Sequence, residues 1–258
     1  MRILVTNDDG IDAFGLEVLT RVARSLSDDV WVVAPHVDNS GASHSLTLKD
    51  PLRVKRLDER RFALHGTPTD CVIMGVREFV QGPKPDLVLS GVNHGQNIAD
   101  DVTYSGTIAG AIEGTLLGIP SLAFSLVTGL HQPGTAFWET AETLAPALIQ
   151  DLLGVGWPST VLLNVNFPDC AIDDVQGRMI TKQGKRDLGL FKIEARKDPR
   201  GRDYYWYDFE RRRSEPQDGT DLWAAAHDYV SITPLHLDLT HTETHAHLLG
   251  RLEHVTLF

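Results

Sequence analysis

Apolar positions in the first 35 residues follow the pattern of a strand, a helix and a second strand. Segments 2–7 (RILVTN) and 30–35 (VWVVAP) are nearly continuously apolar, as expected for strands covered on both faces. Between them, apolar residues recur at helical spacing: Leu16, Leu19, Val22, Ala23 and Leu26. The pattern predicts a βαβ unit with parallel strands and a right-handed crossover.

The same alternation continues through the first two thirds of the chain. A helix is predicted to begin at Pro68 with Thr67 as its N-cap, because threonine accepts backbone hydrogen bonds there and proline fits the first turn. Further helices are predicted over 104–118 and 136–153, and we expect Pro146 to kink or interrupt the second of these. Predicted strands cover 85–93, 119–125 and 160–168, and the last of these is expected to complete the core sheet.

We therefore predict an α/β fold with a Rossmann-like, mostly parallel sheet and helices on both faces, formed by a core domain over 1–168. The rest, 169–258, is richer in charged and aromatic residues and predicts a C-terminal extension. Its YYWY segment (204–207) favours strands over disorder, so we expect a projecting hairpin. Exposed rings on such a hairpin would suit contact between subunits. The run ERRR (210–213) predicts a solvated charged segment.

Charge and the start of the chain narrow the class of protein further. The chain has Lys+Arg 24 and Asp+Glu 35, a net charge of −11, which argues against binding a nucleic-acid polymer along its surface. Its start, MRILVTN, has neither a charged leader nor an apolar run of membrane-spanning length, so we expect a cytoplasmic protein without membrane contact. Cys71 and Cys170 have neither metal-site nor disulfide spacing and are expected to be buried thiols.

Polar side chains follow three of the predicted strands. Asp8 and Asp9 come directly after the first strand, Ser40 follows the second, and Asn93 ends the strand over 85–93. Each cluster alone is typical of a turn. Because the carboxyl ends of parallel strands share one edge of a sheet, we expect these oxygen donors to converge there. Two carboxylates, a hydroxyl and an amide oxygen suit Mg²⁺, Mn²⁺ or Ca²⁺ better than zinc.

The start of the helix over 104–118 could bind an anion. Ser105, Gly106 and Thr107 lie where a helix has unpaired N–H groups and a positive dipole end, and both attract a phosphate. The alternative is that Ser105 only caps the helix and that its small residues allow close packing on the sheet. The sequence of this segment leaves both interpretations open.

These motifs together resemble the survival protein SurE family of metal-dependent 5′-nucleotidases. The resemblance rests on blocks in the family's order between residue 2 and about residue 240: ILVTNDDGIDAFGL, VVAPHVDNSGASHSLT, GTPTDCV, PDLVLSGVNHGQN, DDVTYSGTIAGAIEG, GIPSLAFS, NVNFP, GTD (219–221) and YVSITPL. Their number and order make the match far more specific than any single motif.

The resemblance implies a complete site and an activity. One divalent metal ion per subunit, Mg²⁺ or Mn²⁺ with Ca²⁺ as a further occupant, would be held by four residues: Asp8, Asp9, Ser40 and Asn93. The phosphate site maps onto Asn97, Ser105, Gly106 and Thr107. Implied substrates are nucleoside 5′-monophosphates, with 3′-monophosphates and short polyphosphate in some members. Implied partners are further copies of the chain, in a homodimer or homotetramer that exchanges C-terminal elements.

Two positions depart from the family pattern near this site. Ala99 stands where members usually have a glycine, and a glycine with positive φ would leave alanine strained there. His94 stands where the family often has a small or basic residue. It is expected either to contact substrate or to face solvent.

Alternatives remain for both mechanism and function. Either Asp8 or Asp9 is expected to accept the proton of an attacking water. The runner-up chemistry is an aspartyl-phosphate route through Asp8, which the missing Asp-x-Asp spacing disfavours. The alternative function is a non-catalytic nucleotide-binding or sensing protein of the same fold. A Rossmann dinucleotide site is excluded, because the first strand leads into NDDGIDAFG without a G-x-G-x-x-G fingerprint.

Overall fold

The computed structural model describes residues 1–130, 134–186, 191–209 and 216–252. The strands are β1 (Arg2–Thr6), β2 (Asp29–Pro35), β3 (Arg53–Arg56), β4 (Arg61–His65), β5 (Leu87–His94), β6 (Ser121–Leu126), β7 (Val161–Phe167), β8 (Gly177–Ile180), β9 (Phe191–Lys197), β10 (Asp203–Phe209) and β11 (Tyr229–His236). The helices are α1 (Phe14–Leu26), α2 (Pro68–Met74), α3 (Gly106–Leu116), α4 (Trp138–Val155), α5 (Asp221–Ala226) and α6 (Thr242–Leu252).

In the described residues, nine strands form one sheet in the order β3-β4-β2-β1-β5-β6-β7-β11-β8. The central run from β4 to β7 is parallel, whereas β3 pairs antiparallel with β4 and β11 pairs antiparallel with β7. Strand order reverses beside β1, since β2 lies on one side of it and β5 on the other. The predicted α/β class with a mostly parallel sheet is confirmed.

Helices cover both faces of this sheet, as predicted. On one face, α1 and α4 share a core with β1, β5, β6 and β7. The apolar stripe of α1 is buried there, including Leu16 and Leu19, and burial of each such side chain contributes about 1.5–3 kcal/mol. On the other face, α2 packs on β1, β2 and β4, while α3 packs on β6 and β7. Both faces of the central strands are therefore withdrawn from water.

The local signals at helix ends are confirmed, with one exception. Thr67 and Asp70 form a capping box at the start of α2, and Pro68 occupies its first turn. Gly118 follows α3 with φ +71°. The expected interruption at Pro146 is absent, because α4 continues through it, and a kink there stays a prediction. Residues on both sides of the proline, Ala141 and Leu148, pack against the core.

The prediction that 160–168 forms the last core strand is wrong. β11 pairs with β7 on its outer side, and β8 in turn pairs with β11, so the sheet continues into the C-terminal third. The domain boundary at residue 168 stays a prediction, and the sheet crosses it. Strands β3 and β4 were not predicted from the sequence. β3 (RVKR) is exposed and charged, so it lacks the apolar signal of a core strand.

The predicted projecting hairpin is present as β9 and β10, which pair antiparallel and separately from the large sheet. Its exposed apolar residues include Ile193, Tyr205 and Trp206. The predicted charged run over 210–213 lies outside the described residues. The role of these C-terminal elements in oligomerisation stays a prediction. Within the part of the chain that the structure describes, no helix has the length and apolarity needed to span a bilayer.

Two helical glycines provide a test of how closely α3 must approach the sheet. A Cβ at Gly114 would lie 2.4 Å from Ser121 Oγ and 2.9 Å from Val88 Cβ, whereas a Cβ at Gly154 in α4 would meet nothing within 4 Å. We expect Gly114→Ala to lower the free energy of unfolding by about 1–3 kcal/mol through overpacking. We expect Gly154→Ala to raise it by about 0.4–1 kcal/mol.

Urea titration of both variants and the parent chain, followed by circular dichroism, measures these changes. Equal effects of the two substitutions would contradict the close approach of α3 to β5 and β6, because both replace a glycine within a helix by alanine.

Candidate metal and phosphate site

The predicted donors lie at the point where strand order reverses. β1 and β5 are adjacent, with Thr6 opposite Ser90, and both end at the same edge of the sheet. Asp8 and Asp9 lie in the loop just after β1, and Asn93 is the second-to-last residue of β5. In open parallel sheets the crevice outside such a switch point is where ligands bind.

Asp8 is the buried centre of this crevice, at 4% exposure. Thr107 Oγ1, one residue inside α3, donates a hydrogen bond to Asp8 Oδ1. A Cβ added at Gly106 would lie 2.6 Å from Asp8 Cβ, so only a glycine lets the helix approach this closely. The pKa of Asp8 is raised to about 6 as the net result of three effects: burial raises it, the Thr107 hydrogen bond lowers it and the charge of Asp9 raises it.

Asp9 lies at the mouth of the same crevice and connects β1 to β5. Its Oδ2 accepts the backbone N–H of His94 at 3.2 Å. Burial raises the pKa of Asp9, the His94 N–H lowers it and the nearby Asp38 raises it again. The His94 ring itself is exposed and lies 5.8 Å from the Trp138 ring. Two neighbouring carboxylates are thus held where their charge is unfavourable without a compensating cation.

Ser40 lies in the loop after β2 and is exposed. The backbone N–H of Asn39 donates to the Asp8 carbonyl at 2.8 Å, which holds this loop beside the end of β1. Ser40 donates its backbone N–H and its hydroxyl to Asp38 Oδ1, at 2.7 and 2.6 Å. Because the hydroxyl hydrogen is used there, the lone pairs of Ser40 Oγ remain for a cation.

Asn93 is oriented by its own loop. Its Nδ2 donates to the Gly95 carbonyl at 2.8 Å, so Oδ1 lies on the opposite side of the amide as an oxygen donor. Its chain neighbour His94 bonds to Asp9, which keeps Asn93 beside the two carboxylates. Asn93 thus lies close to Asp9, and the bond from Asn39 to Asp8 brings the loop that carries Ser40 to the end of β1.

The donor set fits a hard divalent cation. It consists of two carboxylates, one hydroxyl and one amide oxygen, the ligands that Mg²⁺, Mn²⁺ and Ca²⁺ take in proteins. Within residues 1–130, 134–186, 191–209 and 216–252, no group of three or more His, Cys, Asp or Glu side chains could hold a metal ion. The predicted site therefore needs its hydroxyl and amide oxygens, and the ligand roles stay predictions.

The start of α3 lies against this donor set. Ser105 is the N-cap, and its Oγ accepts the Ile108 N–H at 3.1 Å. The capping alternative is therefore present in the structure, and the Ser105 hydroxyl still keeps its own hydrogen for donation to an anion. The positive end of the helix dipole faces the crevice beside Asp8. The residues Ser105, Gly106 and Thr107 lie together, as predicted.

Asn97 lies further along the sheet edge, near the ends of β6 and β7. Its Nδ2 donates to Ser125 Oγ at 2.8 Å, and its backbone N–H donates to Asn166 Oδ1 at 2.9 Å. Asn164 Nδ2 donates to the Asn97 carbonyl at 2.7 Å. The second hydrogen of Nδ2 remains for a ligand. Among the residues described, no hydrogen bond joins Asn97 directly to Ser105.

Sequence reasoning gave no role to the residues that hold Asn97. Asn164 and Asn166 lie in β7, are essentially buried and were visible only as part of the NVNFP motif. Two asparagines within an otherwise apolar strand could have indicated this role, because buried amide side chains need hydrogen-bond partners.

Ala99 has the positive φ that was expected to strain an alanine at this position. It has φ +53°, a left-handed conformation that glycine adopts more readily. Its N–H donates to Asp221 Oδ2 at 2.8 Å, and its carbonyl accepts from Gln183 Nε2 at 2.9 Å. Asp221, within the GTD motif, was also given no role from sequence.

Comparisons with known proteins identify the family of this chain. Residues 3–189 match the family model described as Survival protein SurE. A Chelativorans protein named 5′-nucleotidase SurE is 60% identical over 241 residues, which cover 93% of this chain and 95% of that protein. A protein of the same name from Caulobacter vibrioides strain NA1000 / CB15N is 56% identical over 253 residues, which cover 98% and 96% of the two chains.

A solved structure gives the same result. The crystal structure of the SurE protein from Aquifex aeolicus superposes with a TM-score of 0.84 at 38% identity, covering 97% of this chain and 99% of that one. The chain belongs to the SurE family, and the resemblance drawn from its motifs is confirmed.

Thr107 is expected to control the charge of Asp8. Because its hydroxyl favours the ionised carboxylate, we expect Thr107→Val to raise the pKa of Asp8 above the value of about 6 that it has in the parent chain. Carbon-13 NMR titration of the aspartate carboxyls in metal-free protein measures this shift. Thr115→Val, on the same helix, removes only a bond to the Ala111 carbonyl and should leave Asp8 unchanged. An unshifted Asp8 in Thr107→Val would contradict the assignment.

Proposed function

We propose that this chain is a divalent-metal-dependent 5′-nucleotidase that hydrolyses nucleoside 5′-monophosphates to nucleoside and phosphate. The observation that carries the proposal is the pair of carboxylates, Asp8 and Asp9, held beside the start of α3 at the switch point of the sheet. Relatives named 5′-nucleotidase SurE, at 56% and 60% identity over nearly the whole chain, support the reaction class.

One divalent ion per subunit would be held by the four predicted ligands, Asp8, Asp9, Ser40 and Asn93. We propose Mg²⁺ or Mn²⁺, with Ca²⁺ as a further occupant, because all the donors are oxygens. When bound, such an ion polarises a phosphoryl oxygen and lowers the pKa of water. The raised pKa values of Asp8 and Asp9 support a cation here, since a cation offsets the cost of burying their charge.

The substrate phosphate would lie between the helix start and Asn97. Ser105, Gly106 and Thr107 would provide hydrogen-bond donors and the helix dipole, and Asn97 its remaining Nδ2 hydrogen. The side chain of Thr107 and the backbone of Asn97 are fixed by hydrogen bonds to Asp8 and Asn166, so these groups would need little rearrangement when substrate binds. Such preorganised donors stabilise the charge that develops on the transferred phosphoryl group.

Hydrolysis then requires one proton acceptor. Water forms the new P–O bond and loses its proton to Asp8 or Asp9. The P–O bond to the ester oxygen breaks, and that oxygen takes up the proton from the aspartate and leaves as the nucleoside hydroxyl. An aspartyl-phosphate route through Asp8 is less favourable. The Asp-x-Asp spacing typical of phosphatases with an aspartyl nucleophile is missing after β1, where Asp9 is followed by Gly10 and Ile11.

We propose that nucleoside 3′-monophosphates and short polyphosphate are further substrates, because they offer the same terminal phosphate. We propose that the chain acts in the cytoplasm as a homodimer or homotetramer, with contacts through C-terminal elements such as the exposed β9–β10 hairpin. The competing function is a nucleotide-binding or sensing protein without turnover, and the intact set of predicted ligands argues against it.

Phosphate release separates these functions. We expect release from nucleoside 5′-monophosphates to stop with EDTA and to return with Mg²⁺ or Mn²⁺, because the proposed reaction depends on the ion. A panel of 5′- and 3′-monophosphates and tripolyphosphate, assayed for free phosphate, measures both metal dependence and substrate range. Saturable nucleotide binding without release under any metal would favour the sensing protein.

Asp9→Asn tests the metal site directly. We expect it to lower kcat by about 100-fold or more, because it removes one of the two charged ligands, and to weaken Mg²⁺ or Mn²⁺ binding measured by calorimetry. Asp12→Asn is the matched control, since it removes the same charge from an exposed position in the same loop and should retain activity. Activity in a metal-stripped Asp8→Asn/Asp9→Asn double variant would refute the mechanism.

A further inference from the structure

Asp221 connects the C-terminal part of the chain to the loop that carries Asn97. It is the first residue of α5 and is 0% exposed. Its Oδ2 accepts the Ala99 N–H at 2.8 Å, and its Oδ1 accepts the N–H groups of Gly184 and Leu222, each at 2.8 Å. One buried carboxylate thus satisfies three backbone donors from three separate segments.

The Ala99 backbone needs this support. An L-residue in a left-handed conformation is strained, and such strain persists only where the surrounding structure holds it. Ala99 is held on both sides of its peptide units, by Asp221 at its N–H and by Gln183 at its carbonyl. Ala99 is itself 0% exposed, so it cannot exchange these partners for water.

The segment 183–186, which contains Gln183, also holds the next residues of the loop. The Arg186 N–H donates to Asp100 Oδ2 at 2.8 Å, and the Arg186 guanidinium pairs with Asp101. On its other side the loop is fixed to β7, through the bonds of Asn166 and Asn164 to Asn97. Asn97 is two residues from Ala99, so its position depends on both anchors.

We propose that Asp221 is a positioning residue for the phosphate subsite. It acts through the backbone of Ala99 on Asn97 and does not touch the substrate. This inference rests on the proposed function, because Asn97 has a role only if phosphate binds there. A glycine at position 99 would adopt this conformation with little strain, whereas alanine needs the support of Asp221.

Asparagine cannot replace this carboxylate. Oδ1 accepts two of the three N–H groups, so an asparagine would keep its oxygen there and place Nδ2 opposite the Ala99 N–H. Two donors would then face each other in a buried site, and the loop would have to move. Asp221→Asn therefore removes the hold on Ala99 with little change in side-chain volume.

A double-mutant cycle tests the proposal. We expect Asp221→Asn to raise KM for the nucleotide, and Ki for inorganic phosphate as a competitive inhibitor, by about tenfold, equivalent to about 1.4 kcal/mol. We expect Ala99→Gly to recover at least about threefold of this loss in the Asp221→Asn background, more than it changes KM in the parent chain. Glycine recovers binding because it keeps the left-handed conformation without help.

Asp70→Asn is the matched control for a merely structural effect. Asp70 is also buried and accepts from Thr67 N–H at 2.8 Å and from Thr47 Oγ1 at 2.6 Å, away from this loop. We expect it to lower the melting temperature with no rise in KM. A second variant, Gln183→Met, removes the hydrogen bond to the Ala99 carbonyl from an exposed position, and we expect a smaller rise in KM in the same direction.

Hydrogen exchange gives a readout that does not depend on activity. In metal-free protein without phosphate, we expect peptides covering 96–104 to exchange faster in Asp221→Asn and to slow again in the double variant with Ala99→Gly. If the parent chain releases no phosphate, the proposed function fails while this exchange still tests the hold on the loop. Equal rises in KM for Asp70→Asn and Asp221→Asn, or no recovery with glycine, would overturn the positioning role.

Discussion

The approach of α3 to the buried carboxylate of Asp8 is the contact on which the crevice depends. It brings the positive end of a helix, the hydroxyl of Thr107 and an aspartate into one small volume. The approach is possible because Gly106 has no side chain, since a methyl group there would overlap with Asp8. The cost of burying a charge at this point is the physical reason that a cation suits the site.

A local irregularity of the sheet completes the donor set. β5 shifts register against β6 between Ser90 and Asn93, and such bulges redirect side chains at the ends of strands. Gly91 lies inside this shift with φ +132° and packs so closely on Phe124 that a Cβ would lie 2.2 Å from its carbonyl oxygen. Beyond this shift, the His94 N–H at the end of β5 donates to Asp9.

The C-terminal part of the chain supports the site as well as extending the sheet. Asp221 reaches Ala99 across 122 positions of sequence, and β11 lies beside β7, whose asparagines hold Asn97. The carboxylates and the helix start come from the first half of the chain, whereas the support for the Asn97 loop comes largely from the second. The predicted catalytic groups and the residues that hold the Asn97 loop thus come largely from different parts of the chain.

Local patterns in the sequence were enough to predict helices α1 to α4 and the strands β1, β2, β5, β6 and β7. The apolar stripe of α1 and the Thr67–Pro68 start of α2 depend on residues within about four positions of each other, so a short window contains the whole signal. The convergence of Asp8, Asp9, Ser40 and Asn93 was also predicted from sequence, because parallel strands end at one edge. The exposed strand β3 and the continuity of α4 through Pro146 did not follow, since neither has a local signal that outweighs its context.

Only the tertiary structure decided which distant residues meet at the site. The bond from Thr107 to Asp8, the carboxylate of Asp221 beneath Ala99 and the pairing of β11 with β7 all join segments far apart in the chain. Which partners meet depends on the order of strands in the sheet and on how closely each helix can approach it. Strand order is set by the packing of the whole core, so no short stretch of this sequence contains that information.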